Sequence, residues 1–297
     1  MGKPLSGESL LLSIFKKLAS ALIFFAASQA FANFLPPGVV SKASQVGDSN
    51  ITQAEFNQIV STISNYWAPF AEAHGAKLYF DAEWNAQEIN AYSNEVMGYW
   101  LVTITGPLAR HPKMTKDGIL LVLCHEMGHH LGGFPMMAQS NPLMPVWAAA
   151  EGQADYFASQ VCAHNMWESE PDVNAQFRDQ VSPIAKEKCD AVWKTQTQQD
   201  LCYRTSVGVQ AIMGTMADAM KKPMPQYDTP DTSVVTTTIN QGYPGIQCRM
   251  DTSFAAMQCT AAFDFKTIPN AQEAVLTSCM LASGYSVGNR PECWFKE

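Results

Sequence analysis

Ile119-Leu120-Leu121-Val122-Leu123-Cys124-His125-Glu126-Met127-Gly128-His129-His130-Leu131 is the stretch on which the reading of this chain turns. Five apolar residues run into Cys124 and then His125-Glu126-x-x-His129, and Gly132-Gly133 follow as a left-handed helix stop. Thr115, just upstream, is a reasonable N-cap. On a helix, residues four apart differ by about 40° around the axis and one turn along it. The imidazoles of His125 and His129 therefore share a side and can ligate one ion, with Glu126 able to reach a water on that ion. The chain has six histidines, and three lie in this stretch. Its composition makes a chance His-Glu-x-x-His a roughly 0.006-fold expectation, so the motif is informative. His130 lies about 100° from His129 and faces elsewhere, which suits a structural role.

A catalytic zinc takes three protein ligands and keeps one open position. Glu151-Gly152-Gln153-Ala154-Asp155-Tyr156 begins twenty-two residues after His129 and supplies the third. Glu151 and Asp155 are one turn apart on one helix face. Glu151 is the expected ligand, and Asp155 accepts from the far nitrogen of a ligating histidine and so sets its tautomer. Ala154 and Ala158 are small and let this helix approach the first. One Zn2+ per chain is expected. Cys162 lies three turns after Glu151 on the same face, so a Cys124–Cys162 bridge is expected to tie the two helices. No Cys-x-x-Cys pair occurs, which argues against a zinc ribbon.

Around this centre the chain has 297 residues, 47% of them hydrophobic and 15% charged, enough for one large domain and too apolar for wholesale disorder. Lys+Arg is 19 against 27 Asp+Glu, a net charge of -8, which argues against nucleic acid or anionic lipid as a partner. Residues 1–32 read as an export signal. Lys3, Lys16 and Lys17 precede an apolar run at 21–27, and Ala30-Phe31-Ala32 offers the small-x-small pattern of a cleavage site. The mature chain is expected to start at Asn33, in the periplasm or the extracellular space. All eight cysteines lie beyond residue 33, an even number read as disulfides in an exported protein. No later stretch is long and apolar enough for a membrane span. Residues 33–50 read as an irregular lead-in. Residues 51–297 read as a single domain whose C-terminal part, about 248–297, is rich in cysteine.

Thr52-x-x-Glu55 is a capping box that opens an amphipathic helix through Phe56, Ile59, Val60, Ile63, Tyr66, Trp67 and Phe70, with Gly75 as its stop. Strand character follows at 77–84, 88–93 and 98–105, and the short connections suggest an antiparallel sheet. A third helix is expected over 146–166 and an apolar one over 207–220, with 221–247 irregular. The fold class is α+β, mainly helical and disulfide-stabilised. His74 and His111 lie near turns and are expected to be solvated.

The combination of Asn90-Ala91-Tyr92, residues 100–106, residues 119–129 and Glu151-x-x-Ala154-Asp155 resembles the HtpX/CAAX-prenyl-protease-like family of zinc metallopeptidases, within the gluzincins. The resemblance spans roughly residues 85–165. It implies a zincin-like peptidase fold, with a small antiparallel sheet packed on the His125 helix. It also implies zinc held by His125, His129 and Glu151, with Glu126 as catalytic base. The strand at 100–105, with Trp100, Val102 and Ile104, is implied to be an edge along which an extended or unfolded polypeptide substrate pairs. Integral-membrane members of the family carry hydrophobic spans that this chain lacks after its signal. Tyr243-Pro244 and Arg249 stand where many members have His-Pro followed by Arg. Tyr243, Arg249 and His164, with Tyr156 and Tyr203, are candidates to contact substrate or a developing oxyanion.

The resulting expectation is an exported zinc endopeptidase. The alternative is a non-catalytic, disulfide-rich binding protein with a structural metal, which has no use for a base beside an open position. A carboxylate-bridged di-iron protein requires a second Glu-x-x-His, and the chain has none.

Overall fold

The computed structural model describes residues 32–37, 39, 49–138, 146–263 and 267–297, and all of the expected export signal at 1–32 except Ala32 lies outside them. Residues 32–297 form one compact unit. Its first element is a two-residue strand, β1 (Ala32–Asn33). Phe34 and Leu35 behind it are fully buried, so the segment read as an irregular lead-in starts as an ordered, packed piece. Helix α1 (Gln53–Ala73) follows its capping box: Glu55 N–H donates to the Thr52 hydroxyl, and Thr52 N–H donates to the Glu55 carboxylate. It buries Phe56, Val60, Ile63, Trp67 and Ala71 at helical spacing.

Strands β2 (Lys77–Glu83), β3 (Ala91–Val96) and β4 (Tyr99–Thr105) complete a sheet of order β1-β3-β4-β2. β3 and β4 are an antiparallel hairpin turned at Met97 and Gly98, both with positive φ. β2, however, pairs with β4 in parallel. The chain leaves β2, skips one position to lay down β3, and returns into the gap, so two reversals bring β4 back to the direction of β2. The sheet is therefore mixed, not antiparallel. It also makes β4 an interior strand: Trp100, Val102 and Ile104 are buried core residues, not a substrate edge. β4 lies between β2 and β3, and β1 pairs with the other side of β3.

Helix α2 (Lys116–Leu131) starts at the Thr115 cap and is buried on every side from Gly118 to Leu131. Helix α3 (Glu151–Phe157) runs on through a π-turn at Ala158–Cys162 into Ala163–Trp167. It starts five residues later than the apolar pattern from 146 suggests. Residues 146–150 are extended instead, and Ala149 bridges to Met136. Helices α4 (Pro183–Val192), α5 (Gln196–Met220), α6 (Ile246–Ala256) and α7 (Ala271–Thr277) complete the domain. α5 begins well before 207, because a Thr195/Gln198 capping box launches a polar first turn that hydrophobic periodicity does not register.

Four disulfides are formed: Cys124–Cys162, Cys189–Cys202, Cys248–Cys293 and Cys259–Cys279. The first joins α2 to the π-turn after α3, as the helical spacing leads one to expect. These bridges fit an oxidising compartment. No helix among the described residues is long and apolar enough to cross a membrane.

Candidate metal centre

The site lies where α3 crosses α2. A Cβ added to Gly128 would fall 2.8 Å from the Cα and carbonyl oxygen of Ala154, so only hydrogen at that position permits this approach. The contact brings Glu151, in the first turn of α3, opposite His125 and His129.

His125 Nε2 and His129 Nε2 are 3.2 Å apart. Glu151 Oε2 is 3.3 Å from His125 Nε2, and Oε1 is 3.8 Å from His129 Nε2. Ligands at roughly 2.0–2.1 Å from a tetrahedral ion are separated by about 3.3–3.4 Å, so these spacings fit one ion at the centre of the triangle. Both Glu151 carboxylate oxygens are buried without a hydrogen-bond partner, as is Glu126 Oε1, a donor set that a cation and its water would satisfy. His125, His129 and Glu151 are thus a buried group able to hold a metal ion. The other His/Cys/carboxylate grouping among the described residues, Asp231 with Cys248 and Cys293, has its sulfurs committed to a disulfide.

The far nitrogens of both rings are engaged. His129 Nδ1 is 2.8 Å from the Ala149 carbonyl, which accepts its proton and leaves Nε2 with a lone pair toward the triangle. His125 Nδ1 is 2.9 Å from Asp155 Oδ1. Asp155 is gripped by Arg249, whose Nε and Nη2 donate to its two oxygens at 2.7 and 2.8 Å. Arg249 is almost completely buried and is therefore a brace, bonded to a buried carboxylate.

The charges follow from this packing. Burial opposes the charge on His125, but Asp155 and Glu151 outweigh it and hold the imidazole up to about 9 without metal. Burial and the neighbouring His125 cation push His129 well below the usual histidine range. Burial pushes the Glu126 carboxyl up to about 8, and it raises Glu151 as well. Asp155 resists its own burial because Arg249 and His125 hold it below the usual carboxylate range.

Glu126 is one residue from His125 and is held by Ser93, which sequence reasoning passed over. Ser93 Oγ is 2.5 Å from Glu126 Oε2 and 2.9 Å from the Glu126 carbonyl. A single serine among strand residues carries no signal of its own. The hairpin register alone aims Ser93 at α2.

The remaining candidates separate. Tyr243 belongs to the site: burial and the negative charges of Glu151 and Glu126 raise its pKa, and Asn33 hydrogen-bonds it. His164 does not; its ring packs on Trp193. Tyr156 donates to the Gly288 carbonyl at 2.6 Å and Tyr203 donates to Asp190, so both hydroxyls are spent on structure. His130 is stacked between Trp100 and Trp147, each at 4.9 Å. His111 is buried, not solvated, with Thr215 at 3.3 Å and Asp218 at 3.7 Å. His74 is partly buried and stacks on Trp100.

No family model, curated protein or solved structure matches this chain.

Proposed function

We propose that the protein is an exported zinc-dependent endopeptidase of zincin-like fold, related to the HtpX-like metallopeptidases and acting on extended or unfolded polypeptide in the periplasm or outside the cell. One observation carries the reading. Two Nε2 atoms and a carboxylate lie at tetrahedral-edge spacing, both Nδ1 atoms are tied back, and Glu126 stands beside them with Oε1 unpartnered.

His125, His129 and Glu151 would hold the zinc, which when bound would supply Lewis acidity toward a water and a scissile carbonyl. Glu126 takes the proton of the attacking water and passes it to the leaving amine. General acid–base transfer of this kind needs a carboxyl within reach of the water, and in the metal-free site burial raises the pKa of Glu126. Ser93 holds one Glu126 oxygen and so aims the other. Tyr243, whose pKa burial and the nearby Glu151 and Glu126 charges raise, keeps its proton at neutral pH and is the donor assigned to the oxygen that gains charge. Asp155 and Arg249 act through His125, fixing its tautomer and orientation.

A non-catalytic protein with a structural metal is the second reading, favoured by the burial of His125, His129, Glu126 and Glu151. Glu126→Gln separates the two. Both the unchanged chain and the variant should bind about one zinc. Only the unchanged chain should cleave an unfolded protein, and a chelator should stop it. Equal cleavage by both would remove Glu126 from its role. Cleavage by neither would favour the structural metal.

A further inference from the structure

The metal triangle and its base are closed from solvent, although hydrolysis requires water and a peptide to reach them. The segment at 32–35 is part of what closes them. Ala32 pairs with Ser93 and Asn33 with Tyr92. Phe34 N–H donates to the Ala91 carbonyl at 3.0 Å, and Leu35 N–H donates to Asn90 Oδ1 at 2.9 Å. Four successive residues are thus laid antiparallel along β3, largely through backbone groups. That is how a sheet edge takes an extended peptide of almost any sequence.

The same four residues reach the catalytic groups. The Phe34 carbonyl accepts from Arg249 Nη1 at 2.8 Å, the guanidinium that holds Asp155. The Phe34 ring meets the His125 ring edge-on at 5.7 Å. The Asn33 side chain hydrogen-bonds the Tyr243 hydroxyl. Ser93, opposite Ala32, is the residue that holds Glu126. A strand serving only to complete the sheet could run anywhere along it. This one engages the brace, a ligand ring and the candidate oxyanion donor together.

We propose that residues 33–35, the first residues expected to remain after export, are a built-in pseudo-substrate. They fill the peptide groove along β3, and a substrate must displace them to reach the metal. The inference rests on the endopeptidase reading and deepens it. A substrate entering this groove is an extended peptide that places an aromatic or large apolar side chain against His125 and its carbonyl on Arg249, as Phe34 does.

The test uses the zinc-loaded exported protein, expected to start at Asn33, with its Phe34→Ala and Asn33→Ala variants. The last changes a partly buried residue and leaves the core untouched, so it remains informative if Phe34→Ala unfolds. The probe is a fluorescent peptide of sequence Ala-Asn-Phe-Leu, followed by anisotropy, with cleavage of an unfolded protein measured in parallel. An internal competitor lowers apparent affinity by the fraction of time the groove is free, so the folded variants should bind the peptide at least about tenfold more tightly than the unchanged chain. They should also cleave faster, with the peptide inhibiting competitively. Equal peptide affinity in the unchanged chain and every folded variant overturns the proposal. So does cleavage by the unchanged chain that neither variant accelerates, which leaves the hydrolase reading intact. Tighter peptide binding by the variants with no cleavage by any preparation supports the occupied groove and refutes the hydrolase reading instead.

Discussion

Asp155 and Arg249 allow stability and metal affinity to be pulled apart. Both are buried, and they share two hydrogen bonds at 2.7 and 2.8 Å. Asp155→Asn leaves the buried Arg249 cation with only Glu151, 3.8 Å away, as counter-charge, so the metal-free protein should lose up to about 3–5 kcal/mol. It also removes the acceptor that orients His125, so zinc affinity should fall about 10–100-fold. Arg249→Met leaves Asp155 buried with His125 as its remaining partner. The stability loss should be of the same order, but the zinc loss smaller, because the Asp155–His125 contact survives. Asp155→Asn combined with Arg249→Met exchanges a buried ion pair for near-neutral groups. Its stability loss should fall short of the sum of the two single losses by about 1–3 kcal/mol, the coupling between the sites, while zinc affinity stays low. Denaturant titration of the metal-free proteins reads the first quantity, and competition with a chromophoric chelator reads the second. Strictly additive stability losses would refute the buried pair. Full zinc affinity in Asp155→Asn would refute the role given to Asp155.

Three further outcomes are expected. Replacing Cys124 and Cys162 together by alanine opens a loop of 38 residues, for which chain entropy assigns about 4 kcal/mol; a calorimetric melting temperature unchanged by the substitution would contradict this. Gly128→Ala forces a methyl into the Ala154 backbone and should destabilise the fold by about 1–3 kcal/mol while parting Glu151 from the histidines, read as lost zinc stoichiometry after dialysis. The metal-free protein should lose stability toward alkaline pH. A group whose pKa is raised on folding stabilises below its unfolded value, and that contribution is lost as pH rises through the folded one, so His125 contributes fully below about 6.5 and nothing well above about 9. Zinc needs the neutral ring, so its affinity should climb over the same range. Melting curves and chelator competition at several pH values check both trends.

Much of the site could be read along the chain, because its key relationships lie within single helices. His125 and His129 share a face by helical geometry, as do Glu151 and Asp155, and Cys124 and Cys162 follow from the same periodicity. Helix α1 was legible for a similar reason, since its capping box and apolar stripe are local. The sheet was read less well. Apolar alternation marks a strand but carries no information about which neighbour it takes, and the edge position that the resemblance implies for β4 fails because β4 lies between β2 and β3.

The chain alone determined the groups on offer: two imidazoles and a glutamate on one helix, two carboxylates on another, and cysteines spaced to join them. Only the tertiary structure decided what those groups face. The Gly128–Ala154 contact sets the ligand spacing, Arg249 arrives from ninety-four residues beyond Asp155, and Ser93 reaches Glu126 from the hairpin. It also decided that residues 32–35 lie along β3 beside the metal site. Local periodicity is written into every few residues, whereas these meetings depend on how buried surfaces fit across long stretches of chain. No short window of sequence encodes that fit.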